Sequence, residues 1–361
     1  MAGGPKLRGM NDRFRLLGAV GFSCLLFLAV QIGALSLVEP FTAADMQAVD
    51  DPEDPTYSLL YVLAILVATA FMLAAFRYGF DWIIRGLIIG VSVMLAWFVF
   101  AAIIPLVTVS GVLVPLPLVA ALAVGLALLT YPEWYVIDVA GVIMGAGAAG
   151  LFGISLGLLP VIVLLVVLAV YDAISVYRTE HMLDLADGVM DLRIPVVLVV
   201  PTTLSYTFLS SAPQPDSLER SRGTSEGGDG PPVTNGGADD DQGSTADTES
   251  PADSNHESAP EPEAGRDALF IGLGDAVIPT ILVASAATFV DAGTLEVPLI
   301  ALNVPALGAM LGTLLGLLGL LYAVLQGRAH AGLPLLNGGA MLGYLAGALW
   351  VGVPLLEALG I

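Results

Sequence analysis

Residues 157–177, GLLPVIVLLVVLAVYDAISVY, form a long apolar run that carries a single acid, Asp172, near its end. A run of about 20 such residues is long enough to cross a hydrocarbon layer of roughly 30 Å as a helix. Because the run does not alternate polar with apolar residues, a helix is predicted rather than a strand of a membrane barrel. The stretch therefore predicts a transmembrane helix with an acid inside the membrane.

Eight further apolar runs predict that the whole chain is an all-α membrane protein. Apolar residues make up 57% of the 361 positions and the mean hydropathy is +0.86, which is too high for a water-soluble domain of this length. The first run follows a basic flank but lacks a clear cleavage site, so a retained anchor is expected. The predicted bundle has nine spans, at about 16–38, 57–76, 82–104, 114–130, 135–153, 157–177, 271–290, 299–325 and 333–356.

The charge balance excludes some partners and indicates the habitat. The chain has 33 acids against 12 basic residues, so it offers no basic stripe to nucleic acid. An acid excess with scarce Lys suits a halophilic cell, where salt screens the self-repulsion. Cys24 is the only cysteine, which excludes an intrachain disulfide and a cysteine-based metal site.

The basic residues also predict the orientation in the membrane. With the N-terminus inside, nine spans place all twelve basic residues in inner segments and only acids in the outer ones. This predicts a multi-pass protein of the cell membrane with a cytoplasmic 210–266 loop and an extracellular C-terminus. The twelve residues are Lys6, Arg8, Arg13, Arg15, Arg77, Arg85, Arg178, Arg193, Arg220, Arg222, Arg266 and Arg328.

A polar insert divides the chain into three parts. Residues 210–266 are rich in Ser, Gly, Pro, Asp and Glu and have little to bury, which predicts a disordered acidic linker. Residues 1–209 are expected to hold spans 1 to 6, an amphipathic helix and a short strand, and residues 267–361 spans 7 to 9. The strand is predicted at IPVVLVV, residues 194–200, which is β-branched and too short to span.

Two aspartates are the strongest candidates for chemistry. An ionisable group within a membrane helix is costly, which marks Asp172 and Asp275 as candidate functional residues. Asp172 is about five residues and Asp275 about four residues from the predicted inner end of its helix, so at ~1.5 Å per residue both lie roughly 6–8 Å below the same surface. Two adjoining carboxyls in such a site share a proton, and the pair can act as base and acid in hydrolysis. Gly272 and Gly274 would let another backbone approach Asp275.

Other interpretations of these residues remain open at the level of the residues alone. Asp172 and Asp275 could instead bind protons or Na⁺ in a secondary transporter, although no inverted repeat is evident. An inactive membrane scaffold is the third possibility. Asp138, near the start of its span and close to Glu133, is predicted to be an ordinary residue of the inner interface, as is Asp81.

Three motifs resemble those of a known family. Tyr171–Asp172 and Gly272–Asp275, with the sequence GLGD, resemble the YD and GxGD motifs of the presenilin and signal-peptide-peptidase family of intramembrane aspartyl proteases, its archaeal members in particular. Pro334-Leu335-Leu336 stands where the family has Pro-Ala-Leu, and Ala276 stands where presenilins carry an aromatic residue. These departures bear on substrate preference more than on catalysis.

The resemblance implies a nine-helix fold of presenilin type and an intramembrane aspartyl endopeptidase that uses Asp172 and Asp275. Tyr171 and Gly272, Leu273 and Gly274 would then shape the active site, and Pro334 to Leu336 would seat substrate. No cofactor and no metal are expected. The implied partners are transmembrane proteins, cleaved after their helices unwind, and the lipid bilayer; self-association is left open. The unwound substrate would pair with Val196–Val200 and with the residues before Gly272.

Overall fold

The structure is a computed structural model, and it describes residues 6–49, 51–78, 81–105, 107–109, 112–178, 197–201, 268–326 and 331–361. Residues Met1–Ser210 together with Asp267–Ile361 form one compact unit. The predicted acidic linker and amphipathic helix lie outside the described residues, as do the three histidines.

Long apolar helices dominate the described residues. Six helical segments are long and apolar enough to cross a membrane, and three more apolar segments, Leu59–Met72, Leu116–Thr130 and Leu273–Phe289, are shorter. The chain is therefore a multi-pass helical protein, while the count of nine spans stays a prediction. The helices are α1 (Lys6–Ala43), α2 (Thr56–Arg77), α3 (Asp81–Ile103), α4 (Leu116–Thr130), α5 (Trp134–Ser155), α6 (Leu158–Arg178), α7 (Leu273–Phe289), α8 (Val304–Leu325), α9 (Gly332–Trp350) and α10 (Leu355–Ala358).

Within the described ranges, three two-stranded antiparallel sheets lie between these helices. The first pairs β1 (Val107–Val109) with β2 (Val112–Val114), between α3 and α4. The second pairs β3 (Val197–Pro201) with β4 (Ala268–Gly272), and β4 runs directly into α7. The third pairs β5 (Thr294–Val297) with β6 (Ile300–Asn303), between α7 and α8. The predicted strand at IPVVLVV thus corresponds to β3.

The third sheet corrects the predicted start of the eighth span. That span was expected from about residue 299, but α8 begins at Val304 because the preceding residues fold into the β5–β6 hairpin. Asn303 ends the hairpin and caps α8, since its Oδ1 accepts the amide of Ala306 at 2.8 Å. Its Nδ2 donates to the carbonyls of Ala286 and Val290, each at 2.8 Å. One buried side chain therefore joins the end of α7 to the start of α8.

Glycines permit the closest helix contacts. Along α8, Gly308, Gly312 and Gly316 lie against backbone atoms of Gly343, Gly339 and Leu335 of α9, with no room for a side chain. Close backbone approach of this kind is typical of helix pairs in membranes. The α8–α9 pair therefore packs as one unit.

Polar side chains tie α9 and α7 to α6. The Asn337 Nδ2 of α9 donates to the Leu165 carbonyl of α6 at 2.9 Å. The Ser285 hydroxyl of α7 donates to the carbonyl of Leu156, just before α6, at 2.9 Å. These bonds hold α6 to α9 and to α7, which are the helices that carry the candidate site.

Candidate active site

The two candidate aspartates stand on neighbouring helices. Asp172 lies in the last two turns of α6, and Asp275 lies in the first turn of α7. The side chain of Asp172 is 8% exposed and that of Asp275 is half-buried. The two carboxyls are close enough for their charges to interact. Two carboxyls from successive helices therefore lie near each other.

The start of α9 lies beside both carboxyls. The backbone N–H of Leu333 donates to Oδ2 of Asp172 at 3.1 Å. A Cβ built on the preceding Gly332 would lie 3.5 Å from Oδ2 of Asp275. The first amides of a helix lack partners within the helix and favour an anionic neighbour. The two aspartates therefore face adjacent residues of one helix terminus.

The glycines of GLGD differ in their surroundings. A Cβ added at Gly272 would come 3.3 Å from Oδ2 of Asp275, so a side chain here would crowd the carboxyl. At Gly274 the nearest atom would be Cδ1 of Ile278, at 3.9 Å. Gly274 is exposed, so space remains beside it. Leu273 between them is buried and belongs to the core.

The remaining predicted site residues differ in how far their side chains are buried. Tyr171 is next to Asp172 in sequence, but its side chain is 45% exposed. Pro334 is half-buried, and the fully buried Leu336 packs in the same cluster as Leu273. Leu335 is 39% exposed. The fold thus brings Gly272 and the first turn of α9 to the aspartates. The side chains of Tyr171 and Leu335 are partly exposed.

The β3–β4 sheet leads into the site. Its register pairs Val197 with Gly272 and Val199 with Phe270. The two segments that the resemblance implied would pair with substrate therefore pair with each other. Since β4 ends at Gly272, three residues before Asp275, the sheet sets the position of the first turn of α7.

Asp138, which was predicted at the inner interface, is buried beside the β3–β4 sheet. Its side chain on α5 is 3% exposed, and its Oδ1 accepts the backbone N–H of Val199 at 2.7 Å. Sequence reasoning also missed Gly332 and Leu333. The available signal was the adjacent Pro334, which is typical of the first turn of a helix and so marks a helix terminus with unpaired amides.

The side chains that meet at this site are two carboxyls. Among the described residues, no group of three or more His, Cys, Asp or Glu side chains is placed to hold a metal ion. Two neighbouring carboxyls beside amide donors can hold and activate a water molecule by sharing one proton.

The chain resembles known proteins along most of its length. The family model described as "Signal-peptide peptidase, presenilin aspartyl protease" matches residues 24–353. A solved structure of a presenilin family intramembrane aspartate protease, in space group C222, is 33% identical with a TM-score of 0.58 and covers 93% of this chain and 99% of its own. A second, in space group P2, is 32% identical with a TM-score of 0.55 and covers 91% and 96%. None of the curated proteins matches the chain.

Proposed function

Since the chain belongs to the signal-peptide peptidase and presenilin family of aspartyl proteases, and is thus an intramembrane aspartyl protease, we propose that Asp172 and Asp275 are its catalytic pair. One observation carries the assignment. The first turn of α9 lies beside both carboxyls, through the Leu333 amide on Asp172 and through Gly332 next to Asp275. Two acids from successive helices thus converge where a third helix supplies amides.

The pair hydrolyses a peptide bond with one proton shared between the two carboxyls. The charged carboxyl takes a proton from a water molecule, whose oxygen attacks the carbonyl carbon of the substrate. The neutral carboxyl donates its proton to the carbonyl oxygen, which forms a tetrahedral diol. Collapse of the diol breaks the C–N bond as a proton passes to the leaving nitrogen. No covalent intermediate with the enzyme forms.

The residues around the pair hold it in place and leave room for substrate. The Leu333 amide fixes Oδ2 of Asp172, and the absence of a side chain at Gly272 keeps space beside Asp275. Gly274 is exposed and uncrowded, so a substrate backbone can approach there. Pro334, Leu335 and Leu336 place the first turn of α9 and are proposed to seat the substrate; Tyr171 and Leu273 complete the walls.

The proposed substrate is a transmembrane segment that unwinds locally. Its freed N–H and C=O groups need partners within the membrane, and the backbone of a strand can supply them. In the described residues the β3–β4 sheet has only two strands, and β4 leads to Asp275. The edge of β4 away from β3 is therefore the proposed place for the substrate strand.

The topology predicted from the basic residues completes the proposal. Nine spans with the N-terminus and the 210–266 loop in the cytoplasm place Asp172 and Asp275 near the cytoplasmic face of the cell membrane. Cleavage would then occur close to the inner end of a substrate helix.

Turnover of a transmembrane peptide by the purified protein tests the assignment. Asp172→Asn keeps an acceptor for the Leu333 amide but cannot exchange the proton, so we expect kcat to fall by at least about 10³-fold with the thermal melt nearly unchanged. Asp275→Asn should lose as much. The double variant should be about as inactive as either single one, because the two carboxyls act in one step.

One control variant makes the result decisive. Asp291→Asn changes an exposed acid far from the pair in sequence and should cleave like the natural protein. Substantial cleavage by either single variant of the pair would contradict the assignment of that aspartate, whatever the other variant does.

A further inference from the structure

We propose that Asp138 is a positioning residue that closes one edge of the β3–β4 sheet and thereby directs the substrate strand to the other edge. The inference rests on the proposed function, because it concerns how that protease binds its substrate. It assigns a role to an acid on α5 that the catalytic mechanism does not use.

The Asp138 side chain contacts β3 directly. Asp138 accepts the backbone N–H of Val199 at 2.7 Å, and its side chain is 3% exposed. Val199 is the middle residue of β3 and is itself buried. The Asp138 carboxyl therefore occupies the position that a neighbouring strand would take against β3.

Backbone groups alternate between the two edges of a strand, and this fixes which edge of β3 Asp138 closes. Backbone groups of successive residues point to opposite edges of a strand, so Val199, bonded to Asp138, points away from β4. Leu198 and Val200 then form the hydrogen-bonded pairs with Ile271 and Leu269. One edge of β3 is thus filled by β4, and the other is closed at its centre by Asp138.

The packing of α5 supports the same arrangement. One turn after Asp138, a Cβ added at Gly141 would lie 3.1 Å from Leu198 and 3.7 Å from Leu273. The same face of α5 therefore contacts β3 and the first residue of α7. This brings the sheet, the helix that carries Asp275 and the Asp138 carboxyl into one packed layer.

The choice of an acid needs a reason, because burying a carboxyl is costly. Its Oδ2 is buried and finds no hydrogen-bond partner among the described residues. An apolar side chain would avoid that cost but would leave the Val199 N–H buried without a partner, so that β3 would be held less firmly against α5. With this edge closed, a substrate strand cannot pair with β3 and can pair only with β4.

Hydrogen exchange at the Val199 amide tests the contact without reference to catalysis. In Asp138→Ala and in Asp138→Leu, which fills the vacated space, we expect exchange at least roughly tenfold faster than in the natural protein. Asp138→Asn keeps the acceptor oxygen and should retain most of the protection. Asp291→Asn is the control. Unchanged exchange in both the Ala and Leu variants would overturn the proposal.

Cleavage of a transmembrane peptide tests the consequence for substrate. In Asp138→Leu we expect KM to rise roughly tenfold with kcat within about twofold, because a β3 that has lost this hydrogen bond no longer holds β4 in place to bind the substrate strand. Mass spectrometry should show additional cut sites from misplaced substrate. Asp138→Asn should restore the natural KM and product pattern.

The outcomes separate this inference from the proposed function. An unchanged KM and product pattern in Asp138→Leu, with Asp172→Asn inactive, would overturn the role of Asp138 alone. An equal fall in kcat in the Asn and Leu variants at constant KM would overturn it too, since positioning predicts rescue by Asn. If the natural protein cleaves no peptide, the proposed function fails, and the exchange result still decides whether Asp138 closes the edge.

Discussion

At the scale of single residues, three aspartates that lie within apolar helices have three different surroundings. Asp172 accepts an amide from the start of α9, and Asp138 accepts an amide from β3. Asp275 lies beside two glycines, Gly272 and Gly332, whose missing side chains leave it space. Burial cost alone would mark all three as important. Their partners distinguish a pair that can meet a substrate from a carboxyl that holds a strand.

The proton shared by the proposed pair predicts the pH dependence of cleavage. One carboxyl must be charged and the other neutral, so kcat/KM should fall at low pH, where both are protonated, and at high pH, where both are charged. Turnover of a transmembrane peptide across the pH range should therefore follow a bell. Thermal melts at each pH are the control for unfolding. A single sigmoid without a second limb would contradict a shared proton.

At the scale of elements, glycines decide which helices pack closely. Gly312 of α8 is buried against the backbone of Gly339 on α9, while Gly319, two turns further along α8, has no neighbouring atom within 4 Å of an added Cβ. The α8–α9 pair sets the position of the first turn of α9, and hence of Leu333 beside Asp172. Packing on one side of α9 is thereby linked to the active site on the other.

The two glycines predict opposite effects of the same substitution. Gly312→Ala should destabilise the protein by roughly 1–3 kcal/mol, because backbone atoms of α9 cannot move away as a side chain could. Gly319→Ala adds the same methyl group to open space and should be neutral or slightly stabilising. Thermal melting of both variants in one detergent gives the comparison. Equal melting temperatures would show that α8 and α9 are not packed this closely.

At the scale of the whole molecule, composition separates the bundle from the insert. Apolar helices form the described unit, and the acidic residues 210–266 interrupt them between α6 and β4. Loop closure costs grow only slowly with length, so a long insert is tolerated between elements that pack on their own. The fold is therefore expected not to depend on it.

Deletion of residues 214–262 should leave the protein folded and active. The removed segment is poor in apolar residues and has little to bury, so we expect a melting temperature within a few degrees of the natural one. Cleavage of the transmembrane peptide should continue at a similar rate. Loss of folding on deletion would show that the insert docks on the bundle.

Thiol labelling tests the predicted orientation. After Cys24 is replaced by Ala, a cysteine introduced at Gly236 should react with a membrane-impermeant reagent only when cells are opened, because the loop is predicted to be cytoplasmic. Asp291→Cys, between α7 and β5 and exposed, is the control and should label in intact cells. Labelling at position 236 in intact cells would invert the topology and place both aspartates near the outer face.

The amino-acid sequence by itself determined what local composition controls. Hydrophobic length predicts helices wherever a run can cross a membrane, and the desolvation cost of a carboxyl marks Asp172 and Asp275 as candidates without reference to any contact. The β-branched run at residues 194–200 likewise predicted a strand, which corresponds to β3. Its motifs also led to the family, and with it to the protease activity.

Only the tertiary structure decided which distant groups meet. The pairing of β3 with β4 joins segments on either side of the acidic insert, and the hairpin before α8 depends on Asn303 bonding to the end of α7. The burial cost of Asp138 shows that it needs a partner, but not that the partner is the Val199 amide. Such partners are set by packing between residues far apart in the chain, which no local pattern of hydrophobicity or charge encodes.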